Sequence, residues 1–249
     1  MKARLLSVLV VAAIVVLLEA LCLAGKIDRM TMQAPHLIAR DLWRMLASGE
    51  LNGAIYQTLS NAFIAFASAM VIGVAFALVI HGFPAIRETL DPLFSIYYAI
   101  PVLAFYPLFI VILGLGDGPQ IMIGFLMSVV AVIVNTLNGL DRVPRVLRKL
   151  AKAQRLRRLE TVWRITLPSA WPYVLTGAKL AVSYSLIGVI ASEFIMSRGG
   201  MGYEISFSYN NFDNAKMYPL ILLVMAAAIT INVLLFSWER RLLLRRGLK

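Results

Sequence analysis

The stretch QTLSNAFIAFASAMVIGVAFALVI, residues 57–80, decides the fold class. It runs for 24 residues without an Asp, Glu, Lys or Arg. At about 1.5 Å per residue, a helix of this length crosses the roughly 30 Å hydrocarbon core of a bilayer. In lipid every backbone N–H and C=O must be satisfied within the segment itself. The stretch is therefore predicted to be a transmembrane α-helix.

Further windows of similar length and composition lie on both sides, at about residues 5–25, 90–113, 119–140, 171–196 and 217–238. The 249-residue chain is only 15% charged, whereas soluble domains are about 25% charged, and its mean hydropathy is +0.81. The prediction is an all-α, polytopic membrane protein with about six transmembrane helices, forming a single domain over residues 1–249.

Basic residues are distributed unevenly around these windows. With the N-terminus in the cytoplasm, 17 of the 24 lysines and arginines lie in cytoplasmic segments, six lie outside, and Lys179 falls within the fifth window. Cytoplasmic loops of membrane proteins carry such an excess of Lys and Arg. Both termini and residues 141–170 are predicted to be cytoplasmic. The net charge of +11 lies in these flanks, so nucleic acid is not an expected partner.

The first window also has features of a signal peptide, because a basic start precedes a long apolar run. However, the residues before the single cysteine, Cys22, do not form a lipoprotein cleavage box, and residues 23–25 are a poor small-x-small site. An uncleaved first span is the preferred interpretation.

The segment after the first window is predicted to contain a short amphipathic helix at the outer membrane surface. Ile38, Leu42 and Met45 fall on one stripe at helical spacing. Arg40 and Asp41 fall off that stripe. Packing on the membrane is the preferred role, and docking of an outside partner is the alternative.

The segment 141–170 is too long for a simple turn and too short for a domain. It is rich in helix-forming residues from 148 to 164, and Pro168 is predicted to stop that pattern before the fifth span. One or two short amphipathic helices at the membrane base are expected, available to a soluble partner.

The order of these features resembles a known family. The sequence Ile165-x-Leu167-Pro168 precedes SAWPYVLTGAKLAVSYSLIGVIASEFI (169–195), as in permease subunits of bacterial binding-protein-dependent ABC importers. The nitrate, sulfonate and taurine branch is resembled most narrowly. The stretches that resemble this branch are LDPLFSIYYAIPVLAFYPLFIVILGLGDGPQI (90–121), VNTLNGL (134–140), GGMGYEI (199–205) and NNFD (210–213). The resemblance covers about residues 55–245.

The resemblance implies a coupling helix between helices four and five that docks on a separate ATPase subunit. The implied coupling residues, all between positions 149 and 161, are Lys149, Leu150, Ala151, Ala153, Arg155, Leu156 and Leu159. The family's Glu-Ala-Ala opening falls on Lys149, Leu150 and Ala151, and its glycine falls on Arg155. Only Ala151 and the Leu167-Pro168 close match. Either the ATPase groove is unusually acidic or coupling is altered.

The implied assembly lies in the bacterial inner membrane. It contains two ATPase copies, a second permease copy in a homodimer or heterodimer, and a periplasmic or lipid-anchored solute-binding protein. ATP is expected on the ATPase, because this chain has no G-x-x-x-x-G-K-[ST] loop, and no cofactor or metal is expected in this chain. The implied solute is a sulfonate, nitrate, taurine-like compound or other small anion.

Four residues are candidates for the transport path or gate: Glu193, Asn135, Thr136 and Pro101. A charge at the centre of an apolar span costs about 2.5–3.5 kcal/mol, so Glu193 is a functional candidate. The roles considered are lining the outer gate or bonding to the glycine loop beside it, and the alternative is a structural partner for a nearby backbone amide or for Arg198. Asn135 and Thr136 either line a polar cavity or pair across helices. Lys179 is predicted to extend its amine to the membrane surface.

Two other classes of protein fit the sequence less well. A self-sufficient carrier or channel favours paired acidic residues at mid-membrane or an internal repeat, and neither is evident. A membrane enzyme is disfavoured, since the chain has only His36 and His81 and no H-E-x-x-H or G-x-S-x-G motif. The chain is therefore predicted to be a transport subunit rather than an enzyme.

Overall fold

The computed structural model describes residues 2–28 and 31–245, and all regular structure within them is helical. The predicted all-α class is confirmed. The α-helices, in chain order, are α1 (Lys2–Leu23), α2 (Pro35–Ser48), α3 (Asn52–Gly82), α4 (Pro84–Tyr97), α5 (Tyr106–Leu113), α6 (Asp117–Asp141), α7 (Arg145–Ala153), α8 (Arg158–Thr161), α9 (Leu167–Met196), α10 (Met201–Asn210) and α11 (Asn214–Arg245). A 3₁₀ turn (Val102–Phe105) and a π-helical turn (Val162–Thr166) lie between them.

Helices that can cross a membrane occupy the predicted windows. Within the described residues, four stretches are long and apolar enough on their own, and they contain α3, α6, α9 and most of α11. A fifth span is obtained if the bent pair Pro84–Tyr97 and Val102–Leu113 is counted as one. In the first window, the apolar helix among the described residues is the shorter Leu9–Leu23. The prediction of about six helices is thus consistent with the structure.

The third span is broken rather than straight. Its two halves meet at 91°, and the break contains Pro101. Proline has no N–H to continue the helical hydrogen bonds, and it disfavours helical dihedrals at the residue before it. Pro107 lies in the first turn of α5, where a missing N–H costs little. The break therefore follows directly from the sequence.

Pro168 does not stop the helix, so that prediction is wrong. The helical path continues from α8 through the turn Val162–Thr166 into α9. Within that turn Leu167 N–H donates to the Val162 carbonyl, five residues back. The wider π-helical turn gives the proline ring room against the preceding backbone. Proline is here accommodated instead of terminating the helix.

The chain forms two compact units, and the first comprises residues 1–57 and 193–227. Its apolar core includes Met45, Leu51, Ile205 and Leu220. Ile55, Met217 and neighbouring residues of α11 pack against this core from partly buried positions.

Asp41 in this unit is buried, with 3% of its surface exposed, and its predicted place off the buried stripe of α2 is wrong. Gln33 Nε2 donates to its Oδ2 at 2.6 Å. The guanidinium groups of Arg40 and Arg44 lie 3.3 Å and 3.5 Å from Oδ1. These partners offset the free-energy cost of burying a charged carboxylate. Helical spacing alone does not reveal them.

The second unit comprises residues 58–192 and 228–249. The side of α3 that carries Ala65, Ala69, Gly73 and Ala77 is buried in it. A Cβ placed on Gly73 would lie 2.9 Å from the Val132 side chain on α6. Small residues at this spacing let helix backbones approach closely. This stripe is therefore the surface through which α3 packs against α6.

Candidate functional site

The segment implied in coupling forms α7 and the turn that follows it. Ala151 faces inward with 3% of its surface exposed, and Leu156 is half-buried. The exposed members of the set are Lys149, Leu150, Ala153 and Arg155. Leu159 lies in α8, and its side chain is outside the described residues. The structure thus presents a short basic helix with one small residue anchoring it.

The C-terminus of α7 is a Schellman turn whose left-handed position is Arg155, with φ of +53°. Leu156 N–H donates to the Ala151 carbonyl (3.1 Å), and Arg155 N–H donates to the Lys152 carbonyl (3.0 Å). Glycine usually occupies this position, because a Cβ disfavours left-handed dihedrals. The family's glycine falls at Arg155, so the turn is present although the glycine is not.

Replacing Arg155 by glycine is expected to raise the free energy of unfolding by about 0.5–1 kcal/mol, since relief of left-handed strain exceeds the entropy cost of glycine. The midpoint of thermal unfolding in detergent measures this change. Lys149→Gly is the matched control. It removes a similar exposed charge inside α7 and should cost about 1 kcal/mol. A loss of stability in Arg155→Gly would contradict the strain argument.

The residues just before α7 are tied to three other helices. Asp141, the last residue of α6, has Oδ1 3.2 Å from His81 Nδ1 on α3 and Oδ2 3.3 Å from Arg87 Nη2 on α4. Arg142 Nη1 donates to the Tyr173 hydroxyl on α9 at 2.9 Å, and its guanidinium lies 5.2 Å from that ring centre. The base of α7 is thus a polar junction between α3, α4, α6 and α9.

Two pockets lie along the broken third span. The first, of about 260 Å³, is largely apolar and is lined by Tyr97, Tyr98, Ile100, Pro101, Val102, Leu103, Met127 and Tyr184. Tyr97 is held in place because its hydroxyl donates to the Leu126 carbonyl at 2.8 Å. Pro101, a predicted path residue, therefore lies at the wall of a pocket that its own break in the helix helps to form.

The second pocket, of about 320 Å³, is more polar. It is lined by Arg87, Asp91, Phe94, Ser95, Tyr98, Val134 and Asn138. Tyr98 lines both pockets, so the two are neighbours along the third span, and together they are called the groove here.

Asn135 and Thr136 lie at neither pocket. Asn135 Nδ2 donates to the Ala131 carbonyl at 2.8 Å, and its Cβ is against Gly177. Thr136 is fully buried, and its hydroxyl has no hydrogen-bond partner within the described part of the chain. In this structure both residues lie in helix contacts, while Asn138, on the same helix, reaches the polar pocket.

Glu193 is fully buried at the end of α9. Its carboxylate accepts the Gly202 N–H at 3.0 Å and is packed against Gly200, whose φ is +95°. A carboxylate at the first turn of α10 can accept hydrogen bonds from the N–H groups that have no partner within the helix. Its negative charge is also attracted to the positive end of the helix dipole. Of the two roles considered, the geometry is that of a bond to the glycine loop.

Lys179, which was predicted to extend its amine to the membrane surface, has a charged partner on α11. Its Nζ lies 2.6 Å from Glu239 Oε2 on α11 and 5.9 Å from the Phe236 ring centre. A charge within a span gains more from a close partner than from partial solvation when that partner is within reach. Glu239 was missed in the sequence, where its position after the last apolar window was the only signal.

Residues 37–246 match the family described as "Binding-protein-dependent transport system inner membrane component". The nitrate import permease protein NrtB of Leptolyngbya laminosa is 24% identical over 209 residues, which cover 80% of this chain and 75% of that protein. The taurine transport system permease protein TauC of Escherichia coli is 24% identical over 201 residues, covering 81% and 70%.

Another relative and two solved structures are similar. The bicarbonate transport system permease protein CmpB of Synechococcus elongatus is 25% identical over 209 residues, covering 82% of this chain and 75% of that protein. An amino acid ABC transporter solved with histidines has a TM-score of 0.62 at 14% identity, covering 80% of this chain and 98% of that chain. The MetNI methionine ABC transporter in inward-facing conformations has a TM-score of 0.57 at 19% identity, covering 85% and 97%. These two structures share the fold.

Proposed function

Because the chain belongs to the binding-protein-dependent transport system inner membrane component family and is the permease subunit of an ABC importer, we propose that its solute is a small anion. The names of its relatives support this class, since nitrate, taurine and bicarbonate are all small and carry an anionic group. The protein is a multi-pass protein of the inner membrane. The distribution of basic residues supports a cytoplasmic position for both termini.

The transport path in this proposal follows the groove at the broken third span. Pro101 and Tyr98 line its aromatic half, and Arg87 and Asn138 line its polar half. Irregular backbone at membrane depth is tolerated where it lines a cavity or is buried in protein. A break located at a groove is therefore a better candidate for the path than the uniformly helical spans.

Coupling to the ATPase runs through α7 and its Schellman turn. Residues 145–158 contain seven lysines and arginines and no acidic residue. Among the described residues, none of the exposed basic side chains on this segment forms an ion pair within 4 Å; these are Arg145, Lys149, Lys152, Arg155 and Arg157. Unpaired charges of one sign fit a surface of opposite sign. The ATPase groove that receives α7 is accordingly proposed to carry carboxylates.

The assembly consists of two ATPase copies, this chain with a second permease copy, and a solute-binding protein outside. ATP is bound and hydrolysed by the ATPase. The glycine of the usual coupling loop is replaced by Arg155, but the turn itself is formed by the same backbone bonds. The altered residues therefore change the charge of the docking surface and leave its shape in place.

Reversing charge on α7 is expected to weaken ATPase binding at least about tenfold, because each lost attraction also becomes a repulsion at the interface. The test is co-purification of tagged ATPase with Lys149→Glu and Arg155→Glu chains, together with vanadate-sensitive ATP hydrolysis. Lys26→Glu, an exposed residue of the outer flank, is the matched control for net charge. Complex formation should also weaken as salt is raised, since exposed charges are screened.

Two results would contradict this coupling proposal. In one, both charge reversals bind ATPase and support hydrolysis like the unmodified chain. In the other, the segment binds anionic lipid vesicles instead, and the reversals abolish only that binding. Solute identity is tested separately, with the ATPase and binding protein reconstituted in proteoliposomes and nitrate, taurine and bicarbonate as probes. Uptake without ATP would favour a self-sufficient carrier.

A further inference from the structure

We infer that Arg87 is a positioning residue that transmits movement of the coupling helix α7 to the broken third span. The inference rests on the proposed function, because it needs α7 to be the element on which the ATPase acts. It adds a route inside this chain. Arg87 lies outside the coupling surface and outside the path residues predicted from the sequence, although it lines the polar half of the proposed path.

Arg87 joins two helices through one side chain. Its Nε lies 3.1 Å from Asp91 Oδ1, one turn along α4, and its Nη2 lies 3.3 Å from Asp141 Oδ2 at the end of α6. The side chain is 21% exposed, whereas both carboxylates are about half exposed. The planar guanidinium can hold two carboxylates at fixed angles, which a lysine amine cannot do as well.

The two carboxylates have different mechanical roles. The pair with Asp91 lies within α4 and stiffens that helix alone. The pair with Asp141 crosses from α4 to the residue that immediately precedes the chain leading into α7. Only Val143, which is buried, and two other residues separate Asp141 from the start of α7 at Arg145. Because so few residues separate them, a displacement of α7 is expected to move Asp141 as well.

The receiving end of this contact lies at the groove. Arg87 and Asp91 line the polar pocket together with Ser95, and Tyr98 on the same stretch lines both pockets. α4 is also the half of the third span that ends at the 91° break. A shift of α4 at Arg87 therefore changes the shape of the groove directly, because residues of α4 themselves line it.

A second contact anchors the junction on its other side. Arg142 donates to the Tyr173 hydroxyl on α9, and a Cβ on Gly139 would lie 3.0 Å from the Ala170 carbonyl. The end of α6 is thus closely packed on α9. The Asp141 carboxylate also lies 3.2 Å from His81 Nδ1 on α3, so this end of α6 contacts α3, α4 and α9. Because the end of α6 is held by these contacts, we expect movement of α7 to reach Arg87 through Asp141.

The test uses the assembled complex of this chain with its ATPase and needs no solute. A Ser95→Cys reporter is placed in a Cys22→Ser chain, and its labelling rate by a membrane-impermeant maleimide is measured with and without ATP plus vanadate. Trapping is expected to change the rate about fivefold, a typical coupling between sites. Asp141→Asn should reduce that response to less than about twofold while vanadate-sensitive hydrolysis continues.

Asp91→Asn is the matched control, because it removes the same charge from the same arginine but leaves the contact with Asp141. It should keep most of the response. Asp141→Asn also weakens the contact with His81 on α3, whereas Arg87→Gln leaves that contact in place. Arg87→Gln should still behave like Asp141→Asn, and the double variant should be no worse than either single variant, as expected if the Arg87–Asp141 contact carries the response. Additive losses, equal effects of Asp91→Asn and Asp141→Asn, or no response to trapping in the reporter chain would overturn the inference. Failure of the ATPase to bind at all would instead overturn the proposed function.

Discussion

Replacing Glu239 by glutamine is expected to destabilise the protein by about 2–3 kcal/mol, because it leaves the Lys179 ammonium without its counter-charge inside the fifth span. Glu239 is the more buried partner, with 12% of its side chain exposed against 29% for Lys179, and the groups are 2.6 Å apart. The loss is measured as a shift in the midpoint of thermal unfolding in detergent. The folded fraction that remains after heating is quantified by size-exclusion chromatography.

The control for this prediction is Glu50→Gln in the outer ion cluster. Lys216 Nζ lies 3.0 Å from Glu50 and 2.9 Å from Glu204, and the Glu50 side chain is 52% exposed. An exposed pair contributes about 0–1 kcal/mol, so the control should change stability little. The double change Lys179→Met with Glu239→Leu should recover most of the loss, since neither charge then remains. A double variant as unstable as Glu239→Gln would show that the pair is not the cause.

Replacing Gly200 by alanine is expected to cost about 3–5 kcal/mol, because backbone strain and loss of a charge-assisted hydrogen bond occur together. Gly200 has φ of +95°, and an added Cβ would overlap the buried Glu193 carboxylate. That carboxylate must then move away from the Gly202 N–H at the start of α10. Thermal unfolding and recovery of the folded chain from membranes measure the effect.

Gly114→Ala separates the two causes of this loss. Gly114 also has a positive φ, of +79°, but nothing lies within 4 Å of an added Cβ there. It should cost only the strain of about 1–2 kcal/mol. Glu193→Gln keeps an acceptor for the Gly202 N–H and removes the charge, so its loss should lie between the two. Equal losses of stability in Gly114→Ala and Gly200→Ala would show that the clash with Glu193 does not contribute to the loss at Gly200.

The sequence allowed most of the fold to be predicted, since apolar length and helix-breaking residues act locally. The windows became helices, and the break in the third span lies at Pro101, whose missing N–H is a local property of the sequence. Pro168 shows the limit of this reasoning. A single proline predicted a helix end, but the structure accommodates it with a wider turn, because the flanking helices α8 and α9 continue on both sides.

The candidate site was predicted less completely. The position of α7 and the exposure of Lys149 and Arg155 follow from the polar composition of the segment. The pockets, the junction at Asp141 and the partner of Lys179 do not. These contacts join residues 54 and 60 positions apart, in Arg87–Asp141 and Lys179–Glu239. No spacing rule along one helix relates such residues.

The sequence by itself determined which segments are long and apolar enough to cross a membrane and the family to which the order of motifs belongs, and it predicted which segment is cytoplasmic. These features depend on hydropathy and charge summed along the chain. Only the tertiary structure decided that Glu193 binds the glycine loop, that Lys179 meets Glu239, and that Arg87 joins α4 to the base of α7. The physical reason is rotational: a helix that is apolar on all sides has no preferred face in lipid, so its orientation is set by packing against its neighbours.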